Sequence, residues 1–103
     1  SMLSCLFYGI KFSMVALRVY VSGVVQGVGF RAFTKRVADS YGLSGWVRNL
    51  SDGRVEIFVQ GDEEVIWAFL KEVFKGPRAG KVSSMEILKE VPKDDERDFI
   101  IRY

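Results

Sequence analysis

Alternating apolar and polar positions define the first element of the chain. Residues 15–21 (VALRVYV) are rich in β-branched side chains and place every second apolar residue on one face, which predicts a β-strand. A glycine-rich stretch, residues 23–29, interrupts this alternation. Apolar residues then recur at spacings of three and four, which predicts a helix that ends at Gly42. The apolar positions of this helix are Phe30, Phe33, Val37 and Tyr41.

The second half of the chain has two strands, a helix and two more strands. Residues 44–50 (SGWVRNL) and 54–60 (RVEIFVQ) predict a β-hairpin, in which apolar residues of the second strand alternate with Glu56, Phe58 and Gln60. Asp62 is the candidate N-cap of the second predicted helix, which ends near Gly76. Its apolar stripe consists of Val65, Ile66, Phe69, Leu70, Val73 and Phe74. The last two strands are predicted at residues 81–92 and 98–103.

This order of elements predicts the fold class. It is β, α, β, β, α, β with a final short strand. Right-handed crossover connections place both helices on one face of the sheet. We therefore expect an α+β fold, a ferredoxin-like βαββαβ sandwich with two helices on one face of an antiparallel sheet.

Composition narrows the possible chemistry. The 103 residues, 49% of them hydrophobic, fit one compact domain, and a net charge of +2 is too small for a general polyanion binder. The sequence has no histidine, which excludes a Ser/His/Asp triad, a histidine base and histidine-containing zinc sites. Its single cysteine, Cys5, cannot form an internal disulfide, so we expect a cytoplasmic protein.

Residues 1–14 (SMLSCLFYGIKFSM) stand apart from the alternating pattern. They are apolar and contain one charged side chain, Lys11. A signal peptide or membrane anchor is disfavoured, because the segment has no basic start and Lys11 interrupts the apolar run. We interpret residues 1–14 as an N-terminal extension that is disordered, packed against a neighbour or foreign to the native protein, and residues 15–103 as the domain.

The glycine-rich stretch is the main candidate for a binding site. Its glycines allow successive backbone N–H groups to converge on one point, which suits an anion. Arg31 follows in the first helical turn, where the helix dipole disfavours a cation. An anionic ligand would satisfy the loop amides, the helix terminus and the guanidinium together. On these residues alone, a tight connection followed by a solvated arginine remains an alternative, because the loop lacks the spacing of known nucleotide-binding motifs.

Two stretches carry a resemblance to a known family. Residues 21–31 (VSGVVQGVGFR) closely resemble the first signature of the acylphosphatase family, and residues 45–49 (GWVRN) resemble the second. The second signature continues with Gly53, Val55 and Gly61. Because two long motifs occur in the correct order, and the predicted elements also match, the resemblance covers residues 15–103.

The resemblance implies an enzyme that hydrolyses acyl phosphates to a carboxylate and inorganic phosphate, without a metal or organic cofactor. The implied phosphate-binding residues are Val24, Val25, Gln26, Gly27, Val28, Gly29 and Arg31. The implied catalytic residues are Arg31, which would hold the phosphate, and Asn49, which would orient the attacking water through its side-chain amide. On spacing alone, Asn49 is a residue near a turn.

We expect an acyl phosphate as substrate, inorganic phosphate or another anion in the loop, no nucleic-acid or membrane partner, and a monomer. RNA binding is disfavoured because residues 27–33 (GVGFRAF) open a helix instead of lying on a central strand. The aromatic residues expected in the core or on the sheet are Trp46, Phe58, Trp67, Phe69 and Phe74. The alternative function is a binding module, such as the domain that handles carbamoyl phosphate in hydrogenase maturation proteins.

Overall fold

The computed structural model describes residues 14–103, so the predicted extension lies, except for Met14, outside the described residues. In chain order the elements are β1 (Met14–Val24), α1 (Phe30–Ser40), β2 (Ser44–Asn49), β3 (Val55–Asp62), α2 (Glu63–Lys75), β4 (Lys81–Glu90) and β5 (Phe99–Arg102). Every predicted strand and helix is present. No helix within residues 14–103 is long and apolar enough to cross a membrane.

The strands form one five-stranded sheet in the order β4-β1-β3-β2-β5. Strand β1 pairs antiparallel with β3 and β4, and β2 pairs antiparallel with β3. The fifth strand pairs parallel with β2, so the sheet as a whole is mixed. The ferredoxin-like α+β prediction is confirmed. Because β1, β2 and β5 all run in the same direction, their carboxyl ends lie at one edge of the sheet.

The main core lies between the helices and one face of the sheet. Alternation along β1 and β3 turns Val19, Val21 and Ile57 inward, where they meet Ile66 and Phe69 of α2. Helix α1 buries Phe30, Thr34 and Ala38. Its buried face is therefore rotated from the predicted one, and the prediction that Tyr41 belongs to the apolar face is wrong, since that ring is exposed.

The opposite face of the sheet is also covered. Trp46 and Phe58 stack with their ring centroids 6.2 Å apart, and the Arg18 guanidinium lies 5.5 Å from the Trp46 ring centroid. Glu56 is only 3% exposed and accepts hydrogen bonds from Arg18 Nη1 at 2.7 Å and Arg48 Nε at 2.6 Å. Simple alternation predicts an exposed polar face for β3. The structure buries it instead, because neighbouring side chains close over the central strand.

Helix α2 departs from the prediction at two aromatic residues. Trp67 is 45% exposed and Phe74 is 51% exposed, so their assignment to the core or to the sheet is wrong. The helix has room for only part of its apolar surface against the sheet, and its buried residues are Ile66, Phe69, Leu70 and Val73. Asp62 occupies the predicted N-cap position, although its side chain makes no capping hydrogen bond.

Neutralising Glu56 should remove part of the acid sensitivity of the fold. Burial raises the pKa of Glu56, but the hydrogen bonds from Arg18 and Arg48 outweigh burial, so its pKa lies below the ordinary value of 4.5. The ionised carboxylate therefore stabilises the folded state above pH 4.5, and this stabilisation is lost as the pH falls through the lowered pKa. We expect Glu56→Gln to lower the free energy of unfolding at pH 7 by about 2 kcal/mol, because Arg18 and Arg48 keep access to solvent and Arg18 keeps its ion pair with Glu90.

Urea unfolding of the wild-type protein and Glu56→Gln from pH 7 to about pH 2 measures this effect. The difference in stability between the two proteins should shrink below pH 4.5. A difference that stays constant down to about pH 2 would contradict the assignment.

Candidate active site

The loop between β1 and α1 leads into a helix without a side-chain cap. Gly27 and Gly29 have φ angles of 74° and 76°, in the left-handed region that favours glycine. Gly29 occupies the N-cap position, and no side chain caps the helix there. The first amide that donates within the helix is that of Phe33, to the Gly29 carbonyl at 3.0 Å. The amides that precede it are therefore available to a ligand.

A cavity of about 180 Å³ opens at this helix terminus. It brings together the first signature, the second signature and the last strand. Its lining residues are Val25, Gly27, Gly29, Phe30, Arg31, Ala32, Asn49, Ile101 and Tyr103. The predicted catalytic residues, Arg31 and Asn49, thus share one cavity, although they are distant in sequence.

Arg31 enters the cavity from the first turn of α1. Its Nη1 lies 3.4 Å from the Arg102 carbonyl oxygen, and its guanidinium carbon lies 4.6 Å from the centroid of the Tyr103 ring. Within residues 14–103, Arg31 takes part in no ion pair with an acidic side chain. The first turn of α1 also contains no acidic residue. Positive charge is therefore concentrated at the positive end of the helix dipole, which favours an anion.

Asn49 enters the cavity from the end of β2. Pairing with Val55 of β3 fixes its backbone. Its side-chain Oδ1 is buried and accepts no hydrogen bond from the described part of the chain. A buried acceptor without a partner costs about 1–3 kcal/mol. The position therefore suits a donor that enters the cavity, such as a water molecule.

Three of the predicted phosphate-binding residues do not line the cavity. Val24 belongs to β1 and pairs with Lys81 of β4 at the sheet edge. Val28 packs against the core. Gln26 Nε2 donates to the carbonyl oxygens of Leu50 at 2.8 Å and Arg54 at 2.9 Å, so its side chain is bound to the turn between β2 and β3.

Sequence reasoning missed several residues of the cavity. Ile101 and Tyr103 line the cavity because β5 lies beside β2 in the sheet. No local sequence motif predicts this pairing. Phe30 and Ala32 line the cavity from α1. Both residues are adjacent to Arg31 in the first helical turn, and this adjacency could have indicated that they line the cavity.

Hydrogen bonds within the β2–β3 turn fix the segment that follows Asn49. Asp52 accepts from the Arg54 backbone N–H at 3.0 Å and from Arg54 Nε at 2.8 Å. The backbone hydrogen bond and then the side-chain hydrogen bond lower the pKa of Asp52. The Leu50 N–H donates to the Arg54 carbonyl at 2.8 Å and closes the turn.

Comparison with known proteins identifies the family. The acylphosphatase family profile matches residues 17–101. An acylphosphatase from Thermotoga maritima is 49% identical over 90 residues, which cover 87% of this chain and 99% of that protein. An acylphosphatase from Pseudomonas aeruginosa is 43% identical over 88 residues, which cover 85% of this chain and 96% of that protein.

Solved structures agree. The crystal structure of acylphosphatase from Bacillus subtilis matches with a TM-score of 0.83 and 38% identity, over 86% of this chain and 99% of that one. Full-length HypF in its phosphate- and nucleotide-bound form matches with a TM-score of 0.81 and 33% identity, over 92% of this chain but 12% of HypF. The fold and the matched motifs define a phosphohydrolase. The chain belongs to the acylphosphatase family, whose members hydrolyse acyl phosphates.

The left-handed backbone at Gly29 gives a prediction about stability. A Cβ atom at Gly29 would meet no atom within 4 Å, so Gly29→Ala introduces backbone strain without a collision. We expect it to lower the free energy of unfolding by about 1 kcal/mol, measured by urea denaturation. Gly42→Ala is a matched control, because Gly42 has a φ of 67° and equally open surroundings just after α1. A Gly29→Ala variant as stable as the wild-type protein would contradict the loop geometry.

Proposed function

We propose that this protein hydrolyses acyl phosphates in the cavity at the beginning of α1. The loop amides and Arg31 hold the phosphoryl group, and Asn49 orients the attacking water. The observation that carries this proposal concerns two groups that line the same cavity at a helix terminus without a side-chain cap. Within residues 14–103, the Arg31 guanidinium forms no ion pair with an acidic side chain, and the buried Asn49 Oδ1 accepts no hydrogen bond. Loop amides near Gly27 and Gly29 contribute further donors.

Binding of the phosphoryl group follows from the charges of the site. Its oxygens carry negative charge that shifts during phosphoryl transfer, and fixed donors around them stabilise the transition state. The Arg31 guanidinium presents a planar fork that matches two phosphate oxygens. The helix amides and the helix dipole add to the same positive potential. These groups are held in place before the substrate arrives and need little reorganisation.

The hydrolytic step needs one positioned water. The buried Oδ1 of Asn49 accepts a hydrogen bond from this water and directs its oxygen towards the phosphorus. The bond from the water oxygen to phosphorus forms as the bond from phosphorus to the acyl oxygen breaks. The electron pair of that bond leaves with the carboxylate. A phosphate oxygen takes the proton of the water, so the step requires no protein base.

An acyl phosphate suits these limited means. The leaving group of a mixed anhydride is a stable carboxylate, whereas hydrolysis of an unactivated phosphate monoester has a very high barrier. Positioning and charge stabilisation supply most of what the easier reaction needs. We further propose that the protein acts in the cytoplasm as a monomer, and that it uses no metal ion, organic cofactor, nucleic-acid partner or membrane partner.

The likeness to HypF favours a second candidate function. In this alternative the domain is a binding module. Its loop and Arg31 bind an anion such as carbamoyl phosphate, and the domain does not hydrolyse that anion. Turnover distinguishes the two candidates. Binding of phosphate by a folded wild-type protein that does not cleave an acyl phosphate would favour the binding module.

Replacement of Arg31 should abolish hydrolysis. With benzoyl phosphate as substrate and a metal chelator present, we expect Arg31→Ala to lower kcat/KM about 1,000-fold or more. Arg31→Lys should also lose about 100-fold or more, because an ammonium group cannot grip two phosphate oxygens as the guanidinium fork does. Arg36→Ala, which removes an exposed cation from the same helix, is the control and should keep normal activity. Near-normal turnover by Arg31→Lys would overturn the bidentate role.

Replacement of Asn49 should separate catalysis from binding. We expect Asn49→Ala to lower kcat about 100-fold or more, because water orientation is lost. Its affinity for inorganic phosphate should stay within about threefold of the wild-type value, because Arg31 and the loop amides remain. Steady-state kinetics and calorimetric titration with phosphate measure the two effects.

A control substrate tests the proposed substrate class. Hydrolysis of p-nitrophenyl phosphate by the wild-type protein should be negligible, and rapid cleavage of it would contradict the substrate class.

A further inference from the structure

We infer that Gln26 is a positioning residue that sets the distance between Asn49 and the phosphate loop, which comprises residues 25–29 between β1 and α1. This inference rests on the proposed acyl phosphate hydrolysis. The Gln26 side chain does not line the cavity. It binds instead to the turn that begins directly after Asn49. The inference therefore gives the Gln26 side chain a role different from direct phosphate binding.

The need for such a link follows from the order of the strands. The phosphate loop continues from β1, whereas Asn49 ends β2, and β3 lies between these two strands in the sheet. No ladder of hydrogen bonds joins β1 directly to β2. Val55 of β3 pairs with both Val21 and Asn49 and relates the two strands indirectly. The loop beyond this ladder does not pair with β3, so its distance from Asn49 depends on a further contact.

Gln26 supplies this contact. Its Nε2 donates to the Leu50 carbonyl at 2.8 Å and to the Arg54 carbonyl at 2.9 Å. These two carbonyls belong to the residues that close the turn, since the Leu50 N–H donates to the Arg54 carbonyl at 2.8 Å. Both protons of one amide nitrogen are thus used, one for each end of the turn. The bonded Leu50 is the immediate neighbour of Asn49.

The residues next to Gln26 transmit this position to the cavity. Val25, on one side, is fully buried in the core, and Gly27, on the other, takes the left-handed conformation and lines the cavity. The backbone at Gln26 is therefore held by the core and by the turn together. A displacement of a reacting group by about 1 Å can cost about 100-fold in rate. This sensitivity makes the two hydrogen bonds important for the rate, although they do not touch the substrate.

Chemistry at this position is specific to a carboxamide. Glutamine offers two N–H donors at the required reach, whereas an ionised glutamate offers none and would face two carbonyl oxygens. Methionine has a similar length and shape but cannot donate. Gln26→Met therefore removes both hydrogen bonds with little change in volume.

The first experiment compares Gln26→Met with Gln60→Met. Gln60 is a matched control, because its side chain also bonds to backbone, donating to the Lys93 carbonyl at 2.7 Å and accepting from the Lys93 N–H at 2.8 Å. Gln60 pairs with Ser44, at the opposite end of the β2–β3 ladder from Asn49. With benzoyl phosphate we expect Gln26→Met to lower kcat about 30-fold with KM within about threefold of wild type. Gln60→Met should keep kcat within about twofold. Equal effects of the two variants would overturn the inference.

A double-mutant cycle with Asn49→Ala tests whether Gln26 acts through Asn49. In the Asn49→Ala background, Gln26→Met should lower kcat by less than about twofold, because there is no longer a carboxamide to position. If the two losses multiply instead, Gln26 does not act through Asn49 and the inference fails.

A charged variant provides a test if Gln26→Met does not fold. A protonated carboxylic acid can donate one hydrogen bond, so kcat of Gln26→Glu relative to wild type should rise as the pH is lowered from 7 to 5. A constant ratio would contradict the inference. If the wild-type protein itself does not cleave benzoyl phosphate, the proposed function fails together with this inference. If the wild-type protein is active and Gln26→Met equals it, only this inference fails.

Discussion

The positive beginning of α1 is the feature around which the site is organised. The left-handed backbone at Gly29 admits the chain into the helix without a capping side chain, and Arg31 adds a full charge where the helix dipole is already positive. No side chain caps this helix, and its first turn contains no acidic residue that would offset the charge of Arg31. Without a ligand, this helix terminus is therefore less stable than one that has a capping side chain or an acidic residue. A bound anion would relieve the repulsion, because it attracts all the groups that repel one another.

The direction of the strands determines which other groups share this terminus. Strands β1 and β2 are both antiparallel to β3, and β5 is parallel to β2, so all three end at the same edge of the sheet. The loop of residues 25–29 follows β1, Asn49 ends β2, and Tyr103 follows β5. Local sequence places Arg31 beside the loop, whereas the topology of the sheet places the carboxamide and the aromatic ring opposite it.

This difference explains how much the sequence could predict. Strands and helices follow from short periodic patterns, and the glycine-rich loop with Arg31, the proposed anion site, is one continuous stretch. Both could therefore be predicted from the sequence. The part played by Ile101 depends on the pairing of β5 with β2, which is a long-range property. Burial of Glu56 depends on arginines from two other strands, and exposure of Phe74 depends on how much of α2 the sheet can cover. The hydrogen-bond partners of Gln26 could not be predicted from the first signature, because the signature specifies the residue type and not the groups that its side chain contacts.

The proposed mechanism depends mainly on the positions of the groups in the site. In the proposed mechanism Arg31 supplies positive charge, Asn49 supplies a hydrogen-bond acceptor, and neither side chain transfers a proton. A site of this kind cannot compensate for misalignment by a stronger base. In the proposed mechanism the rate depends on the distance between the loop that follows β1 and the Asn49 side chain at the end of β2. Strand β3 separates β1 from β2, and the two hydrogen bonds of Gln26 join the loop after β1 to the turn after β2, which is why we propose that they fix this distance.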